Sequence, residues 1–280
     1  MAVTLPFVML LLDYWPLGRL QADRTRSLPD ARFLLGAVVE KLPLFVLIAA
    51  SVLVTLDVQG AGGNLNYAAD LPPGTRLATV SYSYVAYLMD SFWPVGLAVF
   101  YPVPIAPPAA WRVVSALAFL ALLTALAIRA APRRPYLTVG WLWYLGMLVP
   151  VVGLVQVGMQ ARADRYMYLP QVGLCIALAW GAVDLAAARG ITRQWLLGAG
   201  IAVLFALALC SWRQVGVWRD SVSLFSHAVA VTRDNPLAHY NLAAALAQAG
   251  NRDEAVVHQT RAHELMRRAA EERSRLPVGR

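Results

Sequence analysis

The chain has 280 residues, 59% hydrophobic and only 14% charged, with a mean hydropathy of +0.55 and a formal net charge of +8. A soluble domain carries roughly 45–50% apolar and about 25% charged residues, so an ordinary soluble domain, a disordered chain and a coiled coil are excluded. The basic excess does not point to nucleic acid either, because a polytopic membrane protein concentrates its cations in cytoplasmic loops rather than in a phosphate groove.

Uncharged apolar runs occur at 1–12, 42–56, 91–111, 113–128, 135–161, 166–183 and 194–212. The first, MAVTLPFVMLLL, has no positive leading region and no small-residue cleavage site. It is shorter than the roughly 20 residues a span needs. It reads as a membrane helix that has lost its beginning. Residues 30–40 read as a short amphipathic helix on the cytoplasmic face. Residues 81–90 (SYSYVAYLMD) read as a further amphipathic helix, ending at Asp90 on the outer side. Run 91–111 holds Pro94, Pro102, Pro104, Pro107 and Pro108. Five missing donors break any regular helix, and unsatisfied backbone is not tolerated facing lipid. This stretch therefore belongs at the interface or in a protein-covered re-entrant loop.

The other six runs define a topology. Segment 13–41 and the links 129–134 and 189–193 hold ten cations, and the alternate links hold four (Arg76, Arg112, Arg162 and Arg165). The positive-inside rule puts the first set in the cytoplasm. Six crossings follow, with everything after Trp212 on the outer side. The chain is predicted to lie in a membrane, the bacterial plasma membrane by its Arg- and Ala-rich, Lys-poor usage. Cys175 and Cys210 sit inside apolar runs and read as small buried hydrophobes. His227, His239, His258 and His263 match no metal spacing and read as solvated helix residues.

Composition changes after Trp212. Segment 213–268 reads as a tetratricopeptide (TPR)-like region and 269–280 as a basic tail, against a transmembrane part at 1–212. In NPLAHYNLAAALAQAGNRDEA (235–255), Asn235-Pro236 starts a helix and Gly250 ends it in the manner of a C-terminal cap. Tyr240, Leu242, Ala243 and Leu246 are expected to share one face, and Ala255 and Ala262 one side of the next helix. This is the small-residue pattern of a TPR hairpin. Gln259 and Arg267 depart from it. Residues 220–236, with Phe225 and Ala228 at packing positions, read as the second helix of a preceding repeat.

Four strings could carry chemistry: LLLDYWPLG (10–18), EKLPLF (40–45), FWPVGLAVFYPVP (92–104) and ADRYMYLP (163–170). In the last, Asp164 and Arg165 sit at the outer interface. An arginine fork there matches lipid phosphate oxygens, and an interfacial anchor with a local Asp–Arg pair would use the same residues.

Together with the TPR segment, these strings resemble bacterial TPR-containing membrane proteins related to the eukaryotic TMTC proteins. Those belong with protein O-mannosyltransferases in the GT-C glycosyltransferase superfamily. The resemblance implies an all-α fold: the C-terminal part of a GT-C-like transmembrane domain plus a short TPR helical hairpin. It implies a polyprenyl-phosphate sugar as donor, mannose by this resemblance, and protein hydroxyls as acceptors. Arg165 would contact the phosphate, with Asp164 orienting it and Tyr166 and Tyr168 beside the pocket. Tyr240, Asn241 and Leu242 would bind polypeptide. In the family, a sequence like 3–18 follows several helices and an acidic outer loop, so the catalytic base is expected upstream of Met1. Asp90 is a weak substitute within this chain. Asp70 and Asp57 are on or near the outer side, while Asp13 and Glu40 face the cytoplasm. No metal or resident cofactor is expected. Partners would be the bilayer, the lipid-phosphate sugar and a polypeptide. A non-enzymatic membrane scaffold is the alternative, and a transporter is disfavoured because the long runs carry no central charge.

Overall fold

The computed structural model describes residues 2–20, 31–61, 73–104, 108–153 and 160–275. Asp70 lies outside them. The architecture is all-α, with eleven α-helices and a single two-stranded pairing among the described residues.

Three helices are long and apolar enough to cross a membrane: α5 (Ala110–Ala130), α7 (Pro170–Ala188) and α8 (Arg193–Val217). A fourth candidate joins α2 (Ala31–Glu40) to α3 (Leu42–Ala61) through a bend of 54°. The chain is a membrane protein by these helices. None of the 25 residues of α8 is buried, so its apolar surface is turned outward on all sides. Cys175 and Cys210 are exposed on α7 and α8, which corrects the expectation that they are buried.

Six crossings are expected, and this structure builds fewer long helices. Helix α1 (Leu5–Tyr14) has 10 residues. Helix α6 (Pro135–Leu148) has 14, although the apolar run continues to 161. At 1.5 Å per residue α6 is about 21 Å long, short of a hydrocarbon core of about 30 Å. Val149 is still helical, but Pro150 has no N–H to continue the hydrogen-bond ladder, and Val151 and Val152 bond back to the Leu148 carbonyl in turns. Residues 149–153 then turn, with Gly153 at φ +95°.

Helices α6 and α7 form the closest pair. A Cβ on Gly140 would stand 2.4 Å from the Gly173 carbonyl oxygen, and one on Gly173 would stand 2.5 Å from the Gly140 carbonyl oxygen. Only two glycines let these backbones meet. Helix α4 (Pro73–Phe92) packs against α5 and α6. The helix expected over 81–90 lies within it, and its buried face joins the core. Tyr87 and Tyr144 are fully buried in the main core, with Trp141, Leu148 and Leu174 around them. Aromatic hydroxyls can enter this core because they find partners there. Tyr84 donates to the Leu145 carbonyl at 2.9 Å, and Trp141 Nε1 donates to Thr124 at 2.9 Å.

One end of the bundle gathers segments expected to share a side. Trp15 packs on Tyr136 and Trp180. Asp184 faces Arg134 at 3.6 Å. Nearby, Asp13 accepts from Lys41, and from Arg19 at 2.9 Å, while Arg19 also reaches Glu40 at 2.9 Å. The strings LLLDYWPLG and EKLPLF are thus two halves of one charge cluster. Asp13 and Lys41, the only lysine in the chain, are 2% and 3% exposed.

After α8 come three shorter packed helices: α9 (Ser221–Val231), α10 (Pro236–Gln248) and α11 (Arg252–Arg275). Asp220 caps α9 by accepting from the Ser223 amide at 2.8 Å, which lowers its pKa. Asn235 caps α10 by accepting from the Ala238 amide at 3.0 Å. Gly250, at φ +89°, makes the turn into α11. Leu242, Leu246 and Ala255 form the core between the helices, with Val222, Phe225 and Val229 against it. Helix α11 runs through 269–275, so the expected basic tail is helical that far.

Candidate functional site

At the end of the bundle opposite Asp13, the proline-rich stretch is held as irregular backbone. Among its described residues, the backbone groups of Leu97, Ala98 and Phe100 are paired by protein. Strand β1 (Tyr101–Pro102) pairs antiparallel with β2 (Gln160–Arg162). The Ala98 amide donates to the Tyr101 hydroxyl at 2.9 Å. The Leu97 carbonyl accepts from Gln214 of α8 at 3.2 Å and from His227 of α9 at 3.1 Å. A carbonyl only accepts, so His227 carries its proton on Nε2. The Phe100 carbonyl accepts from Asn235 at 3.4 Å. The C-terminal helices therefore grip this loop at two carbonyls through three side chains. His227 is a structural donor here, not the solvated histidine expected.

β2 runs into ADRYMYLP. The Tyr87 hydroxyl donates to the Ala163 carbonyl at 3.2 Å and accepts from the Ala163 amide at 2.9 Å. This buried pin fixes the backbone next to Asp164. Asp164 to Met167 form a short 3₁₀ turn, and Pro170 opens α7 where its missing donor costs nothing.

Four polar side chains meet at the loop. Arg162 forms an ion pair with Asp90, and its guanidinium lies 3.8 Å from the centre of the Tyr101 ring. The Tyr101 hydroxyl donates to Asp164 at 3.3 Å. Asp90 is thus engaged by Arg162, an environment that suits a charge partner better than a base. Burial of Asp164, followed by the nearby Asp90 charge, raises its pKa from 3.8 to about 6. A folded state that holds a proton more tightly than the unfolded chain gains stability below the unfolded pKa and loses it as pH rises through the folded one. Wild-type stability in detergent should therefore fall by on the order of 1–2 kcal/mol between pH 4 and 7 through this group. Melting curves of Asp164→Asn should lack that component. An identical pH dependence in the variant would refute the assignment.

Two cavities flank this wall. One, of about 600 Å³, brings Asp164, Arg165 and Tyr168 together with Gln171 of α7 and Ser211, Gln214 and Trp218 of α8 and its end. The expected local Asp164–Arg165 pair is replaced by other partners. Arg165 donates to Gln160 at 3.0 Å and lies 5.0 Å from the Tyr166 ring, while Asp164 is held by Tyr101. Tyr166 packs against the main core and receives a hydrogen bond from Gln160 at 2.8 Å, so Tyr168 and not Tyr166 lines the cavity. The second cavity, of about 840 Å³, lies on the Arg162 and Tyr101 side, between α4 and α11.

Of the residues expected to bind polypeptide, Tyr240 is 48% exposed and Asn241 half-buried. Leu242 is 3% exposed, inside the helix-hairpin core, and its side chain is not available to a partner. His239 and His258 face each other with Nδ1 atoms 3.0 Å apart across α10 and α11. No group of three or more metal-ligating side chains occurs among the described residues.

Sequence reasoning missed Arg162, Tyr87 and Tyr101. Arg162 was legible only as one of four outer cations. Its partner Asp90 is 72 residues away, a separation that no local pattern spans.

Comparison with known proteins gives partial matches of one kind. Protein O-mannosyl-transferase Tmtc2 of Drosophila melanogaster is 36% identical over 93 residues, 33% of this chain and 10% of that protein. Protein O-mannosyl-transferase TMTC4 of Homo sapiens is 31% identical over 153 residues, 52% of this chain and 20% of that protein. Protein O-mannosyl-transferase TMTC1 of Mus musculus is 32% identical over 111 residues, 39% and 12% respectively. The matches span a tenth to a fifth of the length of these relatives. The likeness is to a TMTC-like family of membrane enzymes. No protein-family model and no solved structure matches the chain.

Proposed function

We propose that this chain is the C-terminal part of a GT-C-like membrane glycosyltransferase. It moves a sugar, mannose by its relatives' names, from a polyprenyl-phosphate carrier to protein hydroxyls. The observation that carries the reading is the 600 Å³ cavity, in which Arg165 stands beside the outward-facing helix α8. A lipid-linked phosphate can approach from the bilayer along α8 and meet a guanidinium whose fork fits its oxygens. Gln171, Ser211 and Gln214 add hydrogen-bonding groups around the same space. Helices α9–α11 form the TPR-like unit, on the outer side of a bacterial plasma membrane, and present polypeptide to the site.

Membranes containing the whole enzyme, with an upstream half joined to this chain, should transfer mannose from a polyprenyl-phosphate donor to a threonine-containing peptide. Arg165→Ala should lower the rate about 100-fold, the scale of losing one preorganised charge-stabilising donor. Undiminished transfer in that variant would remove Arg165 from the mechanism.

A second reading, a non-enzymatic membrane scaffold, is favoured by one observation: Asp90, the candidate base in this stretch, is engaged by Arg162. That reading predicts polypeptide binding by α9–α11 with no sugar transfer.

A further inference from the structure

We infer that the 840 Å³ cavity between the membrane-side helices and α11 binds an extended stretch of polypeptide. Its role as the acceptor site rests on the transfer reading above, whereas binding itself does not. The two walls come from different parts of the fold. On one side stands the exposed Tyr82 of α4, one helical turn from the buried Thr79, whose hydroxyl donates to the Thr75 carbonyl. On the other stand Arg233 and Asp234 from the α9–α10 turn and Arg268, Glu271 and Glu272 from α11. The floor is Tyr101 with Arg162 against its ring.

Three features select the occupant. First, Arg112, in the first turn of the spanning helix α5, lines the cavity, so the space begins at the membrane boundary and extends away from it. Its other wall is the charged helix α11, so the occupant is water-soluble. Second, both signs of charge are present. With Arg162 paired to Asp90 and Glu271 paired to Arg267, Arg112, Arg233 and Arg268 stand with Asp234 and Glu272. Carboxylates among the arginines oppose a polyanion, while mixed charge suits a polypeptide carrying both signs. Third, apolar Pro102, Val103 and Val231 line the cavity together with the charged groups, which suits a chain that carries both apolar and hydrogen-bonding groups. The wall formed by Tyr101 places this cavity next to the Arg165 cavity, since Tyr101 lines the one and its partner Asp164 lines the other.

The test uses the full chain in nanodiscs and a short fluorescein-labelled peptide of alternating threonine and valine with one lysine and one glutamate. Anisotropy should show saturable binding without any sugar donor. Arg233→Glu with Arg268→Glu, and separately Glu271→Lys with Glu272→Lys, should each weaken it about tenfold. These side chains are exposed or half-buried, so the variants keep the fold. Tyr82→Ala, on the opposite wall, should also weaken binding, and Arg165→Ala should leave it unchanged. Absence of saturable binding, insensitivity to the reversals, or displacement by inorganic phosphate with only the arginine reversals mattering would overturn the inference. Peptide binding that responds as expected, with no sugar transfer by the whole enzyme, would instead sink the transfer reading and leave this one standing.

Discussion

Replacing Asp13 with alanine should destabilise the protein by about 3–5 kcal/mol, because it leaves the Lys41 ammonium buried without its carboxylate. Asp13 and Lys41 are almost wholly enclosed, and Lys41 sits at the break between α2 and α3, where it also donates to the Ala37 carbonyl at 3.3 Å. The pair ties the end of α1 to the bend. The melting temperature in detergent should drop by on the order of 10 °C. Asp13→Leu combined with Lys41→Met should recover most of the loss, because replacing both partners by apolar groups removes the desolvation cost along with the attraction. Arg19, half exposed and held by Asp13 and Glu40 at its other end, screens the rim of the cluster and contributes far less. A double variant no more stable than Asp13→Ala would show that specific geometry, and not charge compensation, governs this corner.

Gly173→Ala should cost about 3 kcal/mol, at the upper end of overpacking, because the new methyl meets backbone. Its Cβ would stand 2.5 Å from the Gly140 carbonyl oxygen and 2.8 Å from Trp143 Cβ. Neither can swing aside as a flexible chain end would. Gly173 lies in the first turn of α7, three residues after Pro170, so the displacement is transmitted to Tyr168 and Arg165. The variant should therefore lose ligand binding in the 600 Å³ cavity as well as stability. Gly198 and Gly200 in α8 provide the control. A Cβ there meets nothing within 4 Å. Alanine at those positions should be neutral or stabilising by up to about 1 kcal/mol. Equal effects at Gly173 and Gly200 would contradict the close α6–α7 contact.

Much of the helical plan was legible because it is local. The charge-free runs that became α5, α7 and α8 follow from composition alone. The Asn235 cap and the Gly250 turn follow from residues next to the helix ends they serve. What stayed hidden depends on distant pairs. Helix α4 reads as amphipathic, but the backbone partners that let Tyr84 and Tyr87 be buried, at Leu145 and Ala163, are distant in sequence. The strings around Asp13 and Lys41 stood out separately, and nothing in either indicates the other. Leu242 was grouped with Tyr240 as a binding residue, although helical spacing places it on the packed side of α10. At the candidate site, the structure redistributes the roles expected within ADRYMYLP. Of the two tyrosines expected beside the pocket, Tyr168 lines the cavity and Tyr166 does not, and Asp164 turns from Arg165 to Tyr101.

The central claim is that Arg165 receives a lipid-linked phosphate. Its most direct test is the affinity of the protein in nanodiscs for a polyprenyl phosphate, compared between wild type and Arg165→Ala. A charge-assisted phosphate contact predicts a loss of about tenfold or more in the variant. Unchanged affinity, with the variant folded as judged by its melting curve, would contradict it.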